Sequence, residues 1–281
     1  MENEQNCVFE VKDRGIVESV PGFIEQFFKL RQEINNKKLL FRGEADHCNE
    51  LRPTIGRSVG YFSATKAYSD WNEMDLLHRF RRRAFPHLGR DVTAGEALFH
   101  ARHHGLPTRL LDWTANALFA LYFACREDNK QDKTGVVYAI LNRTENREHI
   151  LNPYEIARLD SESQVVEHFA TDKRKPVGGE KTEHWIKIVY PIFTSPRIVA
   201  QDSAFTIHSN PSIGVAQYAG ARFWPNRLDI DALFHWCVAS KRKEEIIRQL
   251  SGLGITYRAV FPDLDGIAKS LWETDVLWVK Q

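Results

Sequence analysis

Three histidines, two arginines and a carboxylate crowd into one short run: Phe99-His100-Ala101-Arg102-His103-His104-Gly105-Leu106-Pro107-Thr108-Arg109-Leu110-Leu111-Asp112-Trp113-Thr114. The spacing predicts a helix that delivers its histidines to the C-terminal end, where the helix dipole favours protonated imidazole. Gly105 and Pro107 then turn the chain, and Thr108, Arg109 and Asp112 line a short connector before an apolar segment. Far upstream, Phe41-Arg42-Gly43-Glu44 places a guanidinium beside a glycine. A planar guanidinium donates a bidentate fork to phosphate or carboxylate, and a glycine lets a ligand approach the backbone. Together these residues fit a polar cleft.

Plainer roles compete. Asp112 or Thr114 could cap the following helix, a contribution of ~1 kcal/mol. Arg109 could be a structural ion-pair partner, and Arg42 a buried arginine paired with Asp112. His100 and His104 stand four apart on a helix face, as zinc-binding helices space them, with Asp46-His47 as outside ligands. Ala101 stands where the metalloprotease motif needs Glu, so no metal is expected. A basic stretch, His78-Arg79-Phe80-Arg81-Arg82-Arg83, could touch nucleic-acid phosphates, although Glu73 and Asp75 lie within a turn of it. Arg79, Arg81, Arg82 and Arg83 are the contacts such a role would use. No G-x-S-x-G elbow is present, and no cysteine lies in the histidine block, which argues against serine and cysteine hydrolases.

The elements that must position these groups follow from periodicity. Cys7–Val11 reads as a strand, and Phe23, Phe27 and Leu30 mark a helix. Lys38–Arg42 reads as a short buried strand stopped by Gly43, and 51–54 as extended before Pro53. A long helix is predicted from Ala64 to Arg83, ending before Pro86. The next runs from Thr93, its N-cap, to His104, with Gly105 as the left-handed stop. A buried helix covers Ala115–Arg126, and Gly135–Leu141 is a strand. The charged stretch 142–183 reads as an insertion, a mobile one in this reading. Strands follow at Trp185–Phe193, Arg197–Gln201, Ala204–His208 and Leu233–Ala239, then a helix at Lys241–Leu250, a strand at Thr256–Phe261 and a helix at Leu264–Trp272. Helices early and strands late predict an α+β fold: one domain over residues 1–281, with a mixed, largely antiparallel sheet flanked by helices.

Bulk properties narrow the class. The chain has 281 residues, 43% hydrophobic and 27% charged, which is ordinary for a globular protein with its own core. A net charge of +1 steers neither nucleic acid nor membrane, so any basic site must be local. Cys7, Cys48, Cys125 and Cys237 form no close pair and read as free thiols in a reducing compartment. The polar N-terminus lacks an apolar signal core, and Ala115–Cys125 is too short to span a bilayer. The expectation is a cytoplasmic protein that makes no membrane contact.

Phe41-Arg42-Gly43-Glu44, Leu51-Arg52-Pro53-Thr54, the block from His104 to Thr114, Leu118–Ala124, Arg197–Gln201 with Phe205, and Phe261–Gly266 together resemble the FRG domain family. Members often carry Gln where Glu44 stands and Gly where Ser203 stands. The family's strand arginine followed by glycine is similar to the first motif of ADP-ribosyltransferases, so the resemblance implies an ADP-ribosyltransferase-like fold and NAD as cofactor. On that analogy Arg42 and Gly43 hold the cofactor, with His104, Thr108 and Arg109 around it and Trp113 or Phe205 against the nicotinamide. Glu44, Asp112 or Gln201 would then stabilise the cation-like transition state of N-glycosidic cleavage. The Glu-x-Glu or Gln-x-Glu pair of such enzymes is absent from the late strands. The implied role is an effector or toxin, anti-phage among the options, that modifies RNA or protein and is restrained by an antitoxin partner. A non-catalytic ligand- or partner-binding module would use the same pocket.

Overall fold

The computed structural model describes residues 7–8, 10–46, 51–57, 70–126, 130–142, 152–169, 185–192, 195–218, 222–223 and 230–278. The strands are β1 (Cys7–Val8), β2 (Glu10–Val17), β3 (Leu39–Glu44), β4 (Leu110–Thr114), β5 (Gly135–Asn142), β6 (Ile186–Val189), β7 (Ser203–His208), β8 (Arg222–Phe223) and β9 (Ile230–Val238). The helices are α1 (Val20–Glu33), α2 (Asp70–Leu88), α3 (Ala94–His103), α4 (Ala117–Cys125), α5 (Pro153–Ala157), α6 (Glu162–Phe169), α7 (Pro196–Ala200), α8 (Lys243–Gly252), α9 (Tyr257–Val260) and α10 (Leu264–Trp278). Seven strands form a mixed sheet in the order β2-β9-β5-β3-β4-β7-β6. Only β2 and β9 run parallel within it, so the sheet is largely antiparallel, as expected. β1 and β8 make a separate two-stranded pairing.

Strand alternation sorts the core into three groups. Leu39 and Phe41 on β3 point to α1, α4 and α8, in a cluster with Phe23, Leu121, Trp236 and Leu250. Phe41 stands opposite Thr114, so Leu110, Asp112 and Thr114 share that face of the sheet. There Leu110 meets Phe205 and Ile207 from β7 and the helices α2, α3, α5 and α6. Leu40, Leu111, Trp113 and Ile140 pack on the opposite face, closed by Leu51 and Val215. One face of the sheet therefore carries two helical groups, and the boundary between them runs over the β3–β4 pair.

That pair is the weak join of the sheet. β3 and β4 share a single register, Phe41 opposite Thr114, whereas β3 and β5 are paired from Leu39 to Glu44.

Most predicted elements stand. Thr93 caps α3 in a reciprocal box with Glu96, and Gly105 sits past its end at φ +83°. The exceptions have local causes. Residues 197–201 and 256–261 were expected as strands, yet they hold the short helices α7 and α9. Ser195 caps α7 with Pro196 in its first turn, and Thr256 caps α9. The connector before the buried helix contains a strand, β4, and Asn116, rather than Asp112 or Thr114, caps α4. Helix α2 continues through Pro86 to Leu88, because the missing N–H falls in an exposed last turn.

Within 142–183, α5 and α6 bring Ile156, Val165 and Phe169 fully into the core, so this part of the charged stretch is packed. The remainder of that stretch, and with it Cys48, His47 and the first part of the long predicted helix, lies outside the described residues. Among the described residues no helix is long and apolar enough to cross a membrane.

Candidate functional site

A cavity of about 640 Å³ opens over the β3–β4 join. Arg42 and Gly43 come to it from β3, Asp112 and Thr114 from β4, Arg102 to Gly105 from the end of α3, Phe123 from α4, Arg197 and Gln201 from α7, and Asp263 and Asp265 from the start of α10. Its volume lies within the range of about 300–1,000 Å³ usual for small-ligand sites. The early guanidinium and the histidine–aspartate turn, distant in sequence, share one wall.

Asp112 is the centre of the network. Arg102 grips its carboxylate in a fork, Nε donating to Oδ1 at 2.9 Å and to Oδ2 at 3.1 Å, with a further close contact from the terminal nitrogen. The other Arg102 terminal nitrogen donates to Thr54 Oγ1 at 3.2 Å. Arg42 donates to the Asp112 backbone carbonyl at 2.9 Å and stands 3.6 Å from its Oδ2. A side chain thus bridges the join where the β3–β4 ladder gives out. Burial beneath the surrounding elements would raise the Asp112 carboxyl, but Arg102, with Arg42 behind it, overcomes this and holds it down at about 2. The side chain is still 40% exposed, facing the hollow. It is a carboxylate that stays ionised while open to the cavity.

Glu44 takes a different position from the one expected. It is buried, accepts from Arg42 Nε at 2.9 Å and lies 3.4 Å from Arg57, and it does not line the cavity. Its role is to orient Arg42. Gly43 is on the wall, yet the space it leaves is filled by protein: a Cβ there would sit 1.8 Å from the Ala120 carbonyl oxygen and 2.6 Å from the Ala124 nitrogen. The glycine permits α4 to pack on β3, rather than admitting a ligand.

Thr108 and Arg109, expected beside a cofactor, are both buried away from the cavity. Arg109 is 0% exposed and pairs with Glu73, at 2.8 Å through Nε and 2.6 Å through a terminal nitrogen, with its guanidinium over the Phe169 ring. The structural ion-pair role holds for this arginine. Trp113 and Phe205 reach the wall only as buried rings. The indole N–H of Trp113 donates to Thr206 at 3.0 Å, and Phe205 packs on Phe99. Gln201 is on the wall, and its amide nitrogen donates to the Val260 carbonyl at 3.0 Å, tying α7 to α9.

The histidines depart from the dipole argument. Burial lowers both His100 and His103; at His100 Glu96 is the main opposing influence, ahead of the contributions of His104 and Arg90, and at His103 the charges of His104 and Arg197 add to the lowering against the weaker pull of Asp263. His103 therefore lines the cavity as neutral imidazole at pH 7, and exposed His104 packs edge-on against it at 4.8 Å. Among the described residues no group of three or more His, Cys, Asp or Glu is arranged to hold a metal.

Two of the four basic residues proposed for nucleic acid are already neutralised. Arg79 is exposed and pairs with Asp75 at 2.6 Å, Arg81 is half-buried near Asp91 and Glu162, and Arg82 and Arg83 are exposed.

The wall residues to which periodicity and spacing gave no role of their own include Arg102, His103 and Arg197. Arg102 and His103 sit inside the run that drew attention, and only the angle of α3 against β4 turns them inward. Arg197 lay in a segment misread as a strand.

No curated protein and no solved structure matches the chain. The FRG domain model matches residues 37–133, a span that runs from β3 through α4 and holds most of the cavity wall, Arg42, Gly43, Arg102 and Asp112 included. The chain carries an FRG domain over those residues.

Proposed function

We propose that the cavity takes NAD and that the protein transfers ADP-ribose from it to a macromolecular acceptor, RNA or protein. The observation that carries this reading is Asp112, a carboxylate held ionised by Arg102 and open to a cavity of small-ligand size. Cleaving the bond between ribose and nicotinamide develops positive charge at the sugar carbon. A fixed carboxylate that cannot be protonated at neutral pH stabilises such a cation, because its charge is in place before the reaction begins. Arg42 and Arg102 position it. Guanidiniums on the same wall suit the pyrophosphate. Gln201 offers an amide oxygen to the ribose hydroxyls, since its amide nitrogen is engaged by Val260.

The test is to supply radiolabelled NAD to the protein with a cell lysate, and to follow both labelled macromolecules and released nicotinamide. Wild type is expected to do both, and Asp112→Asn to lose ~100-fold or more while melting cooperatively. Absence of label and of nicotinamide release with every acceptor class would end the transferase reading. A non-catalytic module is favoured by one feature: Asp112 and Glu44 already occupy much of Arg42 and Arg102, a rigid arrangement suited to holding a ligand. That reading predicts NAD binding without nicotinamide release.

A further inference from the structure

We propose that Arg197 is the anion anchor of this cavity and that the ligand it receives carries a phosphate or pyrophosphate group. The inference deepens the nucleotide reading above by naming which side chain holds which part of the ligand.

Three guanidiniums line the cavity, and they are not equivalent. Arg42 is committed to Glu44 and to the Asp112 carbonyl, and Arg102 to both Asp112 oxygens and Thr54. Arg197 is bound by neither a carboxylate nor a carbonyl among the described residues. It lies over the ring of Phe261, whose centroid is 4.4 Å from the guanidinium carbon. Phe261 is itself fixed, 4.7 Å from Tyr257 and 5.9 Å from Phe123. A guanidinium resting on an aromatic ring gains orientation without spending its N–H donors, of which arginine has five.

The electrostatic setting points the same way. Burial dominates at Arg197 and lowers its pKa, and the acids that oppose this, Asp112 and Asp263, act from beyond ion-pair distance. Asp112 is already shared by two arginines, and the Asp263 side chain accepts from the Gly266 amide at the start of α10. A partly buried cation without a paired anion is a site for an incoming one. A phosphate suits it because its oxygens match the guanidinium fork and its multiple charge competes with Asp263 and exposed Asp265 at the rim.

Calorimetric titration of the full chain with ADP-ribose and with adenosine tests this. Wild type is expected to bind ADP-ribose more tightly than adenosine. Arg197→Gln should weaken ADP-ribose by about 10- to 100-fold and leave adenosine unchanged. Arg197→Lys, which keeps the charge without the fork and guards against misfolding of the glutamine variant, should fall between. Phe261→Leu should weaken ADP-ribose in part. Equal ADP-ribose binding by wild type and either Arg197 variant overturns the proposal, as does wild type binding adenosine as tightly as ADP-ribose, or binding neither. Arg197-dependent ADP-ribose binding in a protein that never releases nicotinamide supports the anchor and sinks the transferase. Nicotinamide release with ADP-ribose binding indifferent to Arg197 does the reverse.

Discussion

Asp112 and Arg102 show how much a single pairing decides. Burial by itself would push this carboxyl up, and the guanidinium reverses the sign. Because the folded-state value is depressed, its stabilising contribution is present above the ordinary carboxylate value of ~3.9 and is lost as pH falls through about 2. Arg102→Gln leaves the desolvation opposed only by Arg42 and a backbone hydrogen bond. The Asp112 carboxyl is then expected to titrate at least a unit higher, which carbon-detected NMR titration of wild type and variant would reveal. An unchanged midpoint would mean that Arg102 does not control the charge. At this scale the sequence was partly readable. Arg42, Asp112 and His104 could be chosen because their types and neighbours suggest a cleft. Nothing local, however, distinguishes Arg102, which faces the site, from Arg109, which vanishes into the core. That choice depends on Glu73, presented by a helix far upstream in the chain.

Elements were more legible than their faces. Caps and glycine stops are local chemistry, so α3 was placed from Thr93 to Gly105 without reference to the rest of the chain. Segments 197–201 and 256–261 are helical because the Ser-Pro and Thr caps that open α7 and α9 outweigh the strand preference of their β-branched and aromatic residues. Gly43 failed in a subtler way: its importance was seen, but its purpose was assigned to a ligand. The close approach of α4 to β3 predicts that Gly43→Ala destabilises the protein strongly. The new Cβ meets backbone at 1.8 Å, so helix and strand must move apart, at a cost of roughly 3 kcal/mol or more. Urea denaturation measures it, and a loss under ~1 kcal/mol would show that the α4–β3 contact yields easily. A parallel change at Asn116, whose side chain accepts from the Leu118 and Phe119 amides, should cost only ~1 kcal/mol as Ala. The contrast between the two separates packing from capping on one helix.

Over the whole molecule, two helical groups rest on one sheet face and the cavity occupies the join between them, so the site depends on β4 staying in register with β7. A hydrogen-bond chain helps to hold that register. Trp113 on β4 donates to Thr206 on β7, whose hydroxyl lies 3.1 Å from His208 Nε2, while His208 Nδ1 lies 3.1 Å from the Ile213 carbonyl. A carbonyl can only accept, so Nδ1 carries the proton and Nε2 accepts from Thr206, an assignment that requires neutral imidazole. Burial, with Arg109 nearby, pulls His208 down to about 4 against the hydrogen bond to Ile213. The unfolded chain, titrating near 6.5, therefore takes up this proton first. Stability is full above that value and declines as pH falls from about 6.5 toward 4, by an amount on the order of 3 kcal/mol for His208 alone. His100, His103 and His168 are also lowered by burial and add to the same window. His208→Gln keeps a donor and an acceptor but cannot charge. It is expected to be less stable at pH 7 yet to lose less between pH 7 and 4.5 than wild type does. Thermal melts of both proteins across that range decide it, and parallel curves would show that the buried imidazole does not set the acid limit of the β4–β7 join.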